Sequence, residues 1–248
     1  MAGRAWVAHL YPFTFNELPK KLQTLDYALN WGGLPQLLKY AKNTDREEYL
    51  RSYVYTYLEK EIQTEQWVKN LEPFRKFLPV AAQMNGKILE DTLLGFHLPA
   101  FDESIRKQIR KAQKFYFIDR SIQCGLEKNF EPLKKQTSSW GFAFEHWLIT
   151  EIYKLNTYNK KNYQFSYLMT KNDKEVDLII QKPNKELIFV EIKSKENVTA
   201  DDCKILQSFI DTNTKIKGYV FSTDSVSKKI GAVYCLHWQE GLQELGLD

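Results

Sequence analysis

Glu175-Val176-Asp177-Leu178-Ile179-Ile180 is followed, fourteen residues after Asp177, by Glu191-Ile192-Lys193. Side chains alternate along a strand, so Glu191 and Lys193 share one face while Val190 and Ile192 occupy the other. Pro183-Asn184-Lys185 supplies a hairpin turn between the two runs, which predicts neighbouring strands that bring Asp177, Glu191 and Lys193 together. Upstream, Glu145 stands at the spacing of Phe142, Leu148, Ile149 and Ile152, on or beside the helical face expected to pack on the sheet. Converging Glu145, Asp177 and Glu191 could hold a hard divalent cation, Mg²⁺ or Mn²⁺, through oxygen ligands. Lys193 would then stabilise charge or orient a water, and the chemistry would be hydrolysis of a phosphodiester. Taken singly, Glu-x-Lys on a strand is an ordinary solvated face, and a lone helical Glu an ordinary salt-bridge partner. The ordered combination carries the expectation. Asp201-Asp202 reads instead as the first turn of a following helix.

These residues need a scaffold, and the pattern supplies one. The first half reads as helices broken by Gly and Pro: Leu50, Tyr53, Val54, Tyr57, Leu58 and Ile62 form a stripe between Glu47 and Ile62. Asn30-Trp31-Gly32-Gly33-Leu34-Pro35 interrupts the pattern before it. A further helix is expected from Leu71 toward Asn85, kinked by Pro79. From Lys114 the pattern becomes strands between helices. Lys114 to Ile118 reads as a strand, Ser139 to Leu155 as a helix capped by Ser138 or Ser139, and Tyr163 to Met169, Glu175 to Gln181 and Leu187 to Lys193 as three strands. A helix from Asp201 to Ile210 and strands near Lys217 to Ser222 and Ala232 to His237 complete the order. The fold class expected is α/β (α+β), an N-terminal helical region followed by a mixed sheet flanked by helices over residues 112–248.

Composition excludes several classes. With 248 residues, 43% hydrophobic and 27% charged, the chain can bury a sizeable core. Lys and Arg number 35 against 31 Asp and Glu, so a net charge of +4 does not mark a general polyanion binder and any nucleic-acid surface must be local. No apolar run approaches the roughly 18 residues of a membrane span, and Met1-Ala2-Gly3-Arg4 leads into no signal-peptide core. Cys124, Cys203 and Cys235 sit far apart beside apolar neighbours, and His9, His97, His146 and His237 form no zinc-ligand spacing. Reduced, buried thiols in the cytoplasm are expected.

Phe144-Glu145-His146-Trp147, Glu175 to Ile180 and Phe189-Val190-Glu191-Ile192-Lys193-Ser194 resemble the core of the PD-(D/E)xK nuclease superfamily, whose order of helix, three strands, helix and strand is also the order read here. The whole chain is similar to the C-terminal domain of unknown function that follows an AAA-type ATPase core. Residues Gly3 to Leu18 resemble that core's last strand and exit, and Tyr57 to Ile62 and Lys114 to Asp119 resemble further family segments. The resemblance implies Asp177 and Glu191 as metal ligands, Lys193 as the catalytic lysine and Glu145 as the helical acid, catalytic or ligating. It implies three parts: residues 1–18 as the remnant of an ATPase core, 19–111 as a helical, degenerate winged-helix-like region, and 112–248 as the nuclease-like domain.

The chain departs from that pattern twice. Gly86-Lys87 is its only Gly-Lys pair, and Ala81 stands five residues before Gly86, so there is no P-loop and no ATP site is expected in this chain. A fragment or a degenerate gene product, with an ATPase core as partner in cis where it is a fragment, is the corresponding expectation. The family's helix-turn-helix-like segment between the equivalents of Lys87 and Leu89 is also missing, which removes the recognition element of a winged-helix contact. Arg106, Lys107, Arg110, Lys111 and Lys114, with no acidic residue from Ser104 to Ile118, form a local basic stretch that could contact phosphates. The expectation is a Mg²⁺- or Mn²⁺-dependent nuclease module of an AAA-type ATPase. The rival is a catalytically inert DNA- or protein-binding regulatory module with the same fold.

Overall fold

The computed structural model describes residues 8–64, 94–102, 113–170 and 174–248. It opens with an extended segment and two short 3₁₀ turns, Phe15–Glu17 and Lys20–Leu22, before helix α1 (Leu25–Trp31). Helix α1 stops at Gly32, whose positive φ of 65° and close approach to the Asp119 carboxylate leave no room for a side chain. A 3₁₀ turn over Pro35–Lys39 leads to α2 (Asn43–Thr64), the helix expected from the stripe beginning at Leu50. The helix expected over 71–85 and the region of the missing insert lie outside the described residues.

Strands β1 (Gly95–Leu98) and β2 (Lys114–Phe117) form a small antiparallel sheet. Helix α3 (Arg120–Glu127) follows, capped by Asp119, which accepts from Ser121 N at 2.9 Å and from Gly33 N at 2.7 Å. Helix α4 (Ser138–Tyr158) is capped by Thr137, not by Ser138 or Ser139, because the Thr137 hydroxyl is the one placed to accept from Trp140 N. Then come β3 (Gln164–Met169), β4 (Glu175–Gln181), β5 (Leu187–Lys193), α5 (Ala200–Ile210), β6 (Ile216–Ser222), β7 (Lys228–Ile230), β8 (Val233–His237) and α6 (Trp238–Glu244).

The large sheet is mixed, in the order β3-β4-β5-β6-β8-β7. The β4–β5 hairpin turns at Asn184 and Lys185: Lys185 has a φ of 65° and the Asn184 side chain accepts from Glu186 N at 3.0 Å. Strands β5, β6 and β8 run parallel, with α5 as the crossover between β5 and β6. Both faces of the central strands are buried. Ile188, Val190 and Ile192 share one core with α4 (Phe144, Leu148, Ile152), α6 (Trp238, Leu242) and the N-terminal helices (Leu29, Leu37, Leu50). Ile179, Phe189 and Val220 pack with Cys203, Leu206 and Ile210 of α5 in a second core. The chain is therefore an α+β protein with a helical N-terminal region and a helix-flanked mixed sheet. All three cysteines are free and buried. Among the described residues no helix is long and apolar enough to cross a membrane.

One placement reverses the expectation. Phe142 was expected on the packed face of α4, but it is 71% exposed. Buried Trp140, Ala143, Phe144 and Trp147 already fill the face of α4 toward the core, which leaves Phe142 outside it.

Candidate functional site

The ladder between β4 and β5 runs from Gln181 opposite Leu187 to Leu178 opposite Val190, and ends there, while β4 stays paired with β3 as far as Glu175. The two strands fork at Asp177. Asp177 Oδ2 accepts from Ile192 N–H at 2.8 Å, so a side-chain carboxylate serves a backbone donor that the ladder has released. Lys193 Nζ stands 2.6 Å from Glu191 Oε2 and 3.8 Å from Asp177 Oδ2. The hairpin thus brings Asp177, Glu191 and Lys193 together, and Asp177 and Glu191 are buried.

Helix α4 supplies Glu145, and β2 reaches it from the other side. Tyr116 donates its hydroxyl to Glu145 Oε1 at 3.1 Å, and Lys114 Nζ lies 3.9 Å from the same oxygen. Lys114 also pairs with Glu175 and stands 5.1 Å from the centre of the Tyr167 ring. Strand β2 is fixed to α4 by His146, whose Nε2 is 2.7 Å from Phe117 O. Burial, and then the Arg120 charge, push the His146 pKa down to about 3, so the ring is neutral and donates to that carbonyl.

Four carboxylates (Glu145, Glu175, Asp177, Glu191) therefore share a small volume with two ammonium groups (Lys114, Lys193). The excess of acid shows in the titration of the buried members. Burial, and then the Asp177 charge, push Glu145 up to about 7 and Glu191 up to about 8. Burial works against the Lys193 ammonium, but Asp177 and Glu191 outweigh it and hold its pKa above the usual lysine value. Lys114 is raised in the same way, against burial, by Glu175 and Glu145. Burial, with Glu145 beside it, raises Tyr116 and keeps its hydroxyl protonated.

The three-carboxylate set expected from the sequence does not close. Among the described residues no group of three or more His, Cys, Asp or Glu side chains stands close enough to hold a metal ion. Asp177 and Glu191 stand beside each other and share Lys193, whereas Tyr116 and Lys114 hold Glu145. One observation nevertheless fits a cation: Glu191 Oε1 is buried and has no hydrogen-bond partner among the described residues. A buried carboxylate oxygen without a partner costs free energy that a cation would recover.

Of the basic stretch, Lys114 belongs to this cluster and is paired with carboxylates; Arg106, Lys107, Arg110 and Lys111 lie outside the described residues. Tyr116 and Glu175 were not anticipated. The alternation that puts Lys114 and Tyr116 on one face of β2 was available as a signal, but nothing local says which helix that face meets.

A family model described as Domain of unknown function (DUF4143) matches residues 140–239. That domain is known from AAA-ATPase-associated proteins. A second model, described as Domain of unknown function (DUF8612), matches residues 22–90. No curated protein matches the chain. The DUF4143-like stretch contains Glu145, Asp177, Glu191 and Lys193, while Lys114 and Tyr116 fall outside both matched stretches.

Proposed function

We propose that the chain is a metal-dependent phosphodiesterase of the PD-(D/E)xK type acting on nucleic acid, as a module of an AAA-type ATPase system. The observation that carries this reading is the fork in the β4–β5 hairpin, which gathers Asp177, Glu191 and Lys193 and leaves Glu191 Oε1 without a hydrogen-bond partner among the described residues. Asp177 and Glu191 would hold Mg²⁺ or Mn²⁺. When bound, that cation supplies the Lewis acidity that phosphodiester hydrolysis requires. The Lys193 ammonium places a positive charge beside both carboxylates, where it can meet the negative charge growing on the phosphoryl oxygens. Glu145, with a pKa near neutrality, can exchange a proton at the pH of the reaction. Arg106, Lys107, Arg110 and Lys111 are the phosphate contacts proposed for the approaching strand.

A second reading, an inert DNA- or protein-binding module, is favoured by one observation: among the described residues no three acidic side chains stand close enough together to hold a metal ion. Incubation with single-stranded, duplex and branched DNA and with RNA, with Mg²⁺ or Mn²⁺, separates the two. Cleavage that requires metal and disappears in Asp177→Ala and Lys193→Ala supports the nuclease. Absence of cleavage together with absence of metal uptake by calorimetry supports the inert module.

A further inference from the structure

The cluster has two halves that differ in construction. Asp177, Glu191 and Lys193 come from one hairpin and contact one another directly. Glu145 comes from α4 and is engaged by β2, a strand of the separate two-stranded sheet. Tyr116 is buried, and its hydroxyl donates to the one Glu145 oxygen that Lys114 also faces. Lys114 is itself fixed, by Glu175 and by the Tyr167 ring. The strand behind them is tied down by its ladder to β1 and by His146, the neighbour of Glu145 on α4. Glu145 is therefore held from the β2 side by groups that are themselves anchored, and moving it toward Asp177 and Glu191 would leave the Tyr116 hydroxyl buried without an acceptor.

We propose that Lys114 and Tyr116 are positioning residues that keep Glu145 out of the cation's ligand set, so that the cation is held by Asp177 and Glu191 and Glu145 faces the substrate side as a separate polar subsite. This rests on the proposed phosphodiesterase reading and adds two residues from a strand that neither matched stretch includes. It also accounts for the absence of a three-carboxylate group among the described residues. Lys114, in this arrangement, acts through Glu145 and Glu175 and not as one member of an exposed basic face.

The test measures Mn²⁺ affinity of the full chain by electron paramagnetic resonance, with thermal melts to confirm folding. Glu145→Gln should leave the affinity within about twofold, whereas Asp177→Asn should weaken it by about tenfold or more, the scale at which supporting groups of metal sites already act. Tyr116→Phe combined with Lys114→Met releases Glu145 and should tighten Mn²⁺ binding. That gain should vanish when Glu145→Gln is added, which a double-mutant cycle reads as coupling between Glu145 and the β2 pair. A merely structural role for Lys114 and Tyr116 would produce no such gain. Glu145→Gln weakening Mn²⁺ as much as Asp177→Asn would overturn the positioning role while leaving the metal-dependent reading in place. A wild-type chain that takes up no Mn²⁺ would overturn both.

Discussion

Helix α4 carries two buried charged clusters less than two turns apart, and they are built on opposite plans. Around Glu151 and Lys154 one acid meets one base. Glu151 Oε1 accepts from Phe15 N at 2.6 Å, its other oxygen lies 2.9 Å from Lys154 Nζ, and Lys154 donates to Phe13 O at 3.0 Å. The pair clamps the N-terminal segment, whose Phe15 ring packs edge-on against Trp238 at 5.0 Å and Trp147 at 5.9 Å. At the hairpin fork, by contrast, four carboxylates face two ammonium groups, and burial with the Asp177 charge pushes Glu145 up to about 7 and Glu191 up to about 8. Burial is common to both clusters and so distinguishes nothing. What separates them is charge balance: a buried acid matched by one base serves the fold, and buried acids in excess of their bases, with raised pKa values, are candidates for binding.

The largest expected loss comes from breaking the balanced cluster. Lys154→Met leaves Glu151 buried without its counter-charge and the Phe13 carbonyl without its donor. The loss should be about 3–5 kcal/mol of unfolding free energy, read from urea melts. Phe15→Ala, which empties the space between two tryptophans, should cost a comparable ~3 kcal/mol. Neither change touches Asp177 or Glu191, so Mn²⁺ affinity of the folded fraction should hold. A stability unchanged in Lys154→Met would show that the two clusters are not built on different plans.

The acid-rich cluster should respond in the opposite direction, and only above a certain pH. Glu191 has a folded-state pKa of about 8, raised by burial and by Asp177 above the ordinary 4.5. Below pH 4.5 the group is protonated in both states and the native fold bears no penalty. As the pH rises from there the unfolded chain ionises first, so stability is lost progressively and the loss is complete above about pH 8. Glu191→Gln, which cannot ionise, should therefore nearly match the wild type at pH 4.5 and exceed it by roughly 4–5 kcal/mol at pH 8.5. Denaturant midpoints measured at the two pH values would decide this, and a pH-independent difference would remove the account of the fork as an acid-rich, underpaired site. A smaller effect of the same sign is expected from Glu145→Gln, whose folded pKa is about 7 and whose loss of stability is complete near that pH.

The fork was legible in the sequence because its parts are local. A turn of known chemistry joins two strands, alternation fixes which side chains share a face, and together these place Asp177, Glu191 and Lys193 within reach. The observed bounds of β4 and β5 are those read from the pattern. The clamp was not legible. Glu151 and Lys154 at i,i+3 look like a surface pair on any helix, and only the return of residues 11–15 across α4 buries them. The contacts of Tyr116 and Lys114 with Glu145 were hidden for the same reason, since β2 meets α4 through tertiary packing that no spacing encodes. Short elements such as α3, β7 and α6 were missed because two helical turns or a three-residue strand fall short of the window over which a period stands out.

Phe142 gives the smallest expected effect and the sharpest check on how α4 is oriented between its two clusters. Helical spacing alone would bury it, three residues before Glu145. Its 71% exposure instead means that the ring gives up little water-accessible area on folding. Phe142→Ser should therefore shift stability by no more than about 0.5 kcal/mol, as expected for a surface position, because Ser and Phe have similar helix propensities. If α4 were rotated so that Phe142 packed inward, the same change would remove a buried aromatic and cost ~3 kcal/mol or more. That rotation would also carry Glu145 away from Tyr116 and Glu151 away from Phe15, because all three residues are fixed to one helical frame. One urea titration of Phe142→Ser thus tests the placement of both clusters, and a loss above about 1 kcal/mol would refute it.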